Sequence, residues 1–288
     1  MALTTTSTLA NLLPSIVAEA LYQASEKSIM KGLVKNYTLA PSSGLTVNVP
    51  VYAKITAAGL TEATAPTATA ITPGTAALTV SEVGIRATVS DLSIQASASN
   101  VVSEIGKLMG ESIARKMDTD LMANFNNFSQ VVGGLGESLS PNATPAMIFQ
   151  AIAKIRSQGY DTSNDCAIVL HPNIAYDIAS TLTSTFAAPA SAVGNSALAN
   201  GFMGTLGGVP VYQSSLVPLA DGSTAGDYGC GIFHKESIGL AMMQDIKIES
   251  QREATLRGFD IMGTAVYGTG ELQDLAGVRG SFASSIES

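Results

Sequence analysis

The sequence predicts an α+β protein, and three observations carry that reading. Residues 100–126 repeat apolar side chains at helical spacing, the longest such stretch in the chain. Strand-like alternation clusters on either side of it, at 45–52 and 78–90 before it and at 246–267 towards the chain end. Between the helix and the last strands, residues 144–180 read as helix, buried strand and helix, a small α/β unit.

In the long helix the apolar row is Val101, Ile105, Met109, Ile113, Met117, Leu121 and Phe125, with Leu108 and Met122 beside it, so one continuous stripe is buried. The other face is charged. Asn100 is the expected N-cap, Glu104 lies in the first turn, Glu111 precedes Arg115 by four residues, and Lys116 and Asp120 make the weaker reversed pair. At ~1.5 Å per residue this rod spans roughly 40 Å, enough to brace a flat, extended molecule.

Ahead of it, residues 1–13 are polar and Thr-rich. From Pro14, PSIVAEALYQASEKSIMKG reads as an amphipathic helix with Ile16, Val17, Ala20, Leu21 and Ala24 on one face, stopping at Gly32. This arm carries Lys27, Lys31 and Lys35 near its end, the most basic local stretch of the chain. LTVNVPVY follows as a strand, placed at an edge by Pro50. Residues 53–77 hold sixteen Ala or Thr among twenty-five positions, no aromatic residue, and only Lys54 and Glu62 as charges, so they cannot build a core of their own. In LTVSEVGIRATVS the alternation runs through Leu78 and Val80, then through Val83, Ile85, Ala87 and Val89; the change of phase near Glu82 suggests a bulge. Two edge-like strands and a low-complexity tip describe a long hairpin, stable only when it lies on something else.

After the helix and a glycine-rich turn, Thr144 caps, Pro145 starts and Gly159 stops a helix with Met147, Ile148, Ile152 and Ile155 inward. CAIVL is a buried strand, and HPNIAYDIAS is a strand end followed by a helix with Pro172 in its first turn. Residues 183–208 form a second loop rich in Ala, Ser and Gly, and GGVPVYQSSLVP and CGIFH are strands. In DIKIESQRE, Ile246 and Ile248 face one side of a long half-exposed strand, and a turn at Arg257-Gly258 leads to its antiparallel partner, FDIMGTAVYG.

Composition bounds the function. A chain of 288 residues can bury a real core and carries a length prior of roughly two domains. Its two cysteines, Cys166 and Cys230, make no disulfide framework. MALTTTSTLANLLPS has no charged region ahead of an apolar one, and there is no apolar run near ~18 residues, so the expectation is a soluble intracellular product with no membrane partner. Charged residues are only 13%, against about 25% in ordinary soluble proteins, which points to a surface covered by other protein and so to extensive self-association. The net charge of -8 argues against a dedicated nucleic-acid reader. No Lys or Arg occurs between Ser157 and His234, a stretch that holds Asp161, Asp165, Asp177, Asp221 and Asp227.

Catalytic chemistry finds no constellation. Cys166 and His171 are five apart and face opposite ways on a strand; Cys230 and His234 share a face, but packing accounts for them better than a metal does. There is no G-x-S-x-G, and the glycines at 133–136 and 207–208 lack phosphate-loop spacing. Asp118 and Asp120 diverge by about 200° on the helix and read as a solvated face. No enzyme activity, metal or cofactor is expected.

Four segments occur in a telling order: ESIARKMDTDLMANF at the end of the long helix, AIVLHPNIAYDI, GTLGGVPVYQSSLVP, and GIFHKESIGLAMMQDIKIESQREATLRGFDIMGTAVYG. In order and spacing, over nearly the whole chain, this resembles the major capsid proteins of tailed bacteriophages, whose fold is shared by encapsulin shells and the herpesvirus capsid floor. The resemblance implies an N-terminal arm (1–40), an extended loop hairpin (41–92), a spine helix with a peripheral domain (93–140), an axial domain (141–244) and C-terminal strands completing the peripheral domain (245–288). It implies a virion shell protein assembled in the host cytoplasm into pentamers and hexamers around double-stranded DNA. Portal, separate scaffold and decoration proteins would be its partners. Lys54, Glu62, Pro66 and Pro73 then fall in an inter-subunit loop, and Lys27, Lys31, Lys35, Lys107, Arg115 and Lys116 become the DNA-facing candidates. Some members crosslink covalently through a loop lysine; Lys54 is the only lysine of this loop, but its partners have no match here, and that activity is not carried over. The alternative is an encapsulin-type compartment around a cargo enzyme. An export signal is missing for the rival surface-fibre reading.

Overall fold

The longest helix packs across the longest pair of strands. The computed structural model describes residues 28–42, 44–52, 57, 59, 62, 70, 71, 73–96, 101–134, 141–163, 165–185, 204–220 and 226–286. The expected arm helix from Pro14, the Asn100 cap and most of the 183–208 loop lie outside them.

Strands β10 (Ile238–Glu253) and β11 (Gly258–Glu271) form a long antiparallel hairpin. Its turn closes at Arg257, whose φ of 46° is left-handed, where the sequence placed it. Strand β4 (Ser81–Ser90) pairs with the far side of β11, and β1 (Lys35–Thr38) runs parallel to β10, giving the order β1-β10-β11-β4. A short helix, α1 (Asp91–Ala96), follows β4 and leads to the spine, α2 (Val101–Ala123), which a 3-10 turn continues through Asn124–Asn127. Met109, Ile113, Met117, Leu121, Met122 and Phe125 are buried, as the stripe requires.

A second sheet has the order β5-β12-β9-β6-β8-β7. It comprises β5 (Val131–Gly133), β6 (Cys166–Leu170), β7 (Thr205–Leu206), β8 (Val209–Gln213), β9 (Asp227–His234) and β12 (Gly277–Ala283). Helices α3 (Pro145–Ser157) and α4 (Pro172–Thr185) frame β6 in sequence, and α3 packs on this sheet through Ile148, Ala151, Ile152 and Ile155. Every residue of β6 is buried, as CAIVL predicts for a central strand. Thr144 does sit at the N-cap of α3, but its hydroxyl makes no capping bond; its carbonyl accepts the Met147 N–H at 3.1 Å.

Two expectations change. The phase shift near Glu82 is not a bulge but a change of sheet. Strand β3 (Gly74–Thr79) pairs with β2 (Thr46–Val51) in a two-stranded ribbon; after Val80 the chain enters β4 in the main sheet. The register breaks lie instead in β10, between Met242, Gln244 and Lys247. The segment 245–288 is also divided: β10 and β11 stay with the spine, whereas β12 crosses to the second sheet between β5 and β9. Six of its seven residues are buried, so it needs a neighbour on each edge to satisfy its backbone.

Candidate inter-subunit and DNA-facing surfaces

The β2–β3 ribbon is anchored through one face. Leu78 and Val80 are buried in a small separate core with Leu39, Ala241 and Leu272, against which Val47, Val49 and Ala76 also pack. Three glycines make the seat. A Cβ on Gly268 would lie 2.2 Å from the Thr79 carbonyl oxygen, and Cβ atoms on Gly270 and Gly239 would lie 2.7 and 2.9 Å from the Leu78 side chain. Apolar side chains at both ends of the ribbon are open: Leu45 beside the seat, and Tyr52 and Ile71 past the Val51–Gly74 end, are about 60% exposed, unusual for side chains of this size. Of the predicted loop residues, Pro73 and Glu62 are exposed, while Lys54 and Pro66 lie outside the described residues. The return strand begins at Gly74, so residues 74–77, read from sequence as tip, are paired backbone.

The described basic candidates lie on two segments, the spine and the stretch leading through β1. On the spine, Lys107 pairs with Glu104 at 3.6 Å and Lys116 with Asp120 at 2.7 Å, the reversed pair the sequence suggests. Arg115 is exposed. Lys35 meets Glu236 at 3.7 Å beside β10, and Lys31 is half-buried. Lys27 lies outside the described residues. These pairs are exposed and worth well under ~1 kcal/mol each, so a polyanion could displace them.

Asp118 corrects the sequence reading outright. It is 2% exposed rather than solvated. Its carboxylate accepts the Ser28 hydroxyl at 2.7 Å and the Ile29 and Met30 N–H groups at 2.9 and 3.3 Å, fastening the first described residues of the chain to the spine. Burial raises its pKa, with those bonds pulling the other way. Asp177, on α4, holds the other end of the chain in the same manner, accepting the Ser285 N–H at 2.9 Å and the Ser285 hydroxyl. A third buried charge, Arg279 on β12, has no carboxylate partner among the described residues. It donates from Nη1 to the Asn126 carbonyl at 3.0 Å, in the 3-10 turn that ends the spine, where a cation meets the negative end of the helix dipole. One cue for Asp118 was present: it lies four residues before Met122, beside the buried row.

The histidines and cysteines pack. His171 stacks on Tyr228 with ring centroids 3.7 Å apart and is held below its ordinary pKa by burial. His234 lies against Tyr160. Both thiols are buried and pushed up to about 12, by burial first. Among the described residues no group of three His, Cys, Asp or Glu side chains could hold a metal, and no helix is long and apolar enough to cross a membrane.

A long helix across a long-stranded sheet, a second mixed sheet and a projecting ribbon together define a viral shell fold, that of the tailed-phage major capsid proteins. The capsid of cyanophage P-SCSP1u superposes with a TM-score of 0.69 at 16% identity, covering 90% of this chain and 89% of that one. A chain of Mycobacterium phage Che8 gives 0.67 at 16% identity, covering 88% and 90%. The virus-like particle from Pyrococcus furiosus gives 0.58 at 7% identity, covering 93% and 98%. A family model described as phage capsid protein matches residues 75–279, and the chain belongs to that family of structural proteins. No curated protein matches the chain by sequence.

Proposed function

We propose that the chain is the major capsid protein of a tailed phage, assembling through heterologous contacts into rings of five and six that close as an icosahedral shell around double-stranded DNA. The observation that carries this is the ribbon. Its Leu45, Tyr52 and Ile71 are left exposed by the chain's own described residues, and a neighbouring subunit is the surface that would cover them. The four-stranded sheet with the spine serves as the peripheral body and the six-stranded sheet with α3 and α4 as the axial body. Low surface charge suits many modest contacts, which allow assembly errors to be reversed. Assembly takes place in the host cytoplasm, with portal, separate scaffold and decoration proteins as partners.

Packaged DNA is held without sequence preference by Lys27, Lys31, Lys35, Lys107, Arg115 and Lys116. Substituting these with Gln is expected to weaken DNA retention and flatten its salt dependence; retention that stays unchanged removes them from the inner surface. Sedimentation tests the assembly: large particles that carry DNA support the capsid reading, and particles that carry a protein cargo and no DNA identify the rival compartment.

A further inference from the structure

The four-stranded sheet ends in two edges of unequal length. One is β1, with four residues; the other is β4, with ten, paired to β11 on one side only. A strand of this length turns alternate backbone N–H and C=O groups outward along roughly 30 Å, and proteins usually blunt such an edge with Pro, Lys, a bulge or a covering segment. β4 carries none of these. SEVGIRATVS has no Pro or Lys, its register with β11 runs unbroken from the Ser81–Tyr267 pair to the Ser90–Gly258 pair, and no described residue bonds to its outer backbone edge. Its side chains are also incompletely covered. On the core side Val83, Ile85 and Ala87 pack against the main core but stay only partly buried. On the opposite face Glu82, Gly84, Arg86 and Thr88 are exposed. There Asp260 of β11 takes Arg86 through Nε at 2.7 Å and Nη2 at 2.5 Å, and accepts the Thr88 hydroxyl at 3.3 Å. Arg86 Nη1 and the Glu82 carboxylate have no partner among the described residues.

We propose that the open β4 edge binds a second copy of this chain, the two β4 strands pairing antiparallel about a two-fold axis at Gly84 and joining their sheets into one. Charge selects this register. With Gly84 opposite its own counterpart, Glu82 of each copy stands opposite Arg86 of the other, and the Nη1 that Asp260 leaves free is the donor it meets. Moving the axis to Glu82 or to Arg86 sets like charges face to face, and moving it to Val83 or Ile85 leaves both charges opposite uncharged residues. On the core side the same register lays Val83 of one copy beside Ile85 of the other, so the partly buried apolar row is covered by its counterpart. The proposal rests on the shell reading and adds a contact to it. Heterologous contacts close rings of five and six, and an isologous contact outside the ring ties one ring to the next.

The test is disulfide capture in assembled particles. Glu82→Cys and Arg86→Cys are made singly and together in one chain, oxidised with copper phenanthroline, and run on a non-reducing gel. In the proposed register the two introduced thiols face each other across the axis with Cα atoms about 5 Å apart, within disulfide range. Inside one chain they lie four residues apart, roughly 13 Å, and cannot close. The double variant is expected to give about tenfold more dimer than either single variant, and a co-assembled mixture of the two single variants to give only the mixed dimer. Each single variant alone stays monomeric on the gel, as does the wild type, whose two thiols are buried. Particles in which the double variant does not crosslink overturn the pairing and leave the shell reading standing. A dimer from either single variant alone also overturns it, and a chain that neither forms particles nor crosslinks overturns both. If Arg86→Cys does not fold, Gly84→Cys decides, since it stands opposite itself and must crosslink on its own. Its Cβ meets the Gly263 carbonyl oxygen at 3.1 Å, which a small shift relieves.

Discussion

Gly268 gives the most direct check of how the ribbon is seated, because the obstacle to a side chain is backbone. With a Cβ built 2.2 Å from the Thr79 carbonyl, Gly268→Ala forces the ribbon off its seat. The expected cost is about 2–3 kcal/mol, a Tm drop of roughly 5–10 °C. Gly32→Ala, where a Cβ meets nothing within 4 Å, should change Tm by less than about 2 °C. A Gly268→Ala variant as stable as the wild type would show that the seat does not bear on stability. The cysteines allow a second prediction. With both thiols at about 12, only about one in ten thousand is ionised at pH 8. Native protein should therefore resist a thiol-specific disulfide reagent for hours and release two equivalents on denaturation; rapid native labelling would place a thiol at the surface. At this scale the sequence was readable where a residue follows its row, as with Ile148 and Met117. It was not readable where a buried charge is satisfied by a remote backbone, as Asp118 is by residues 28–30 and Arg279 by Asn126.

Periodicity found the elements better than it found their partners. The spine, the α3 and α4 helices, β6 and the β10–β11 turn lie where apolar spacing, Pro and Gly put them, because local sterics and burial of one face decide them. The β3–β4 switch and the placement of β12 were hidden, since alternation shows which side of a strand is buried but not which strand lies beside it. The ribbon tip follows the same logic. Residues 53–72 lie beyond the paired strands, so their removal with a short turn should leave Tm within a few degrees of wild type while abolishing large particles in sedimentation. Particles of normal size from that deletion would mean that the tip takes no part in contacts between subunits.

On the scale of the whole molecule, low charge and an open ribbon form a coherent set. Each is unfavourable in an isolated monomer and useful in a subunit whose surfaces are shared. The 13% charged composition was the earliest sign of this, and it could be read before any element was placed. What it could not show is geometry, because contacts between copies leave no periodic trace in one sequence. Electron microscopy of the chain, expressed alone and again beside a scaffold protein from the same phage, tests the account most directly. It predicts five- and six-fold rings or closed shells in which the ribbon of one subunit lies across the next. A compact monomer under both conditions, with its ribbon open to protease, would contradict it.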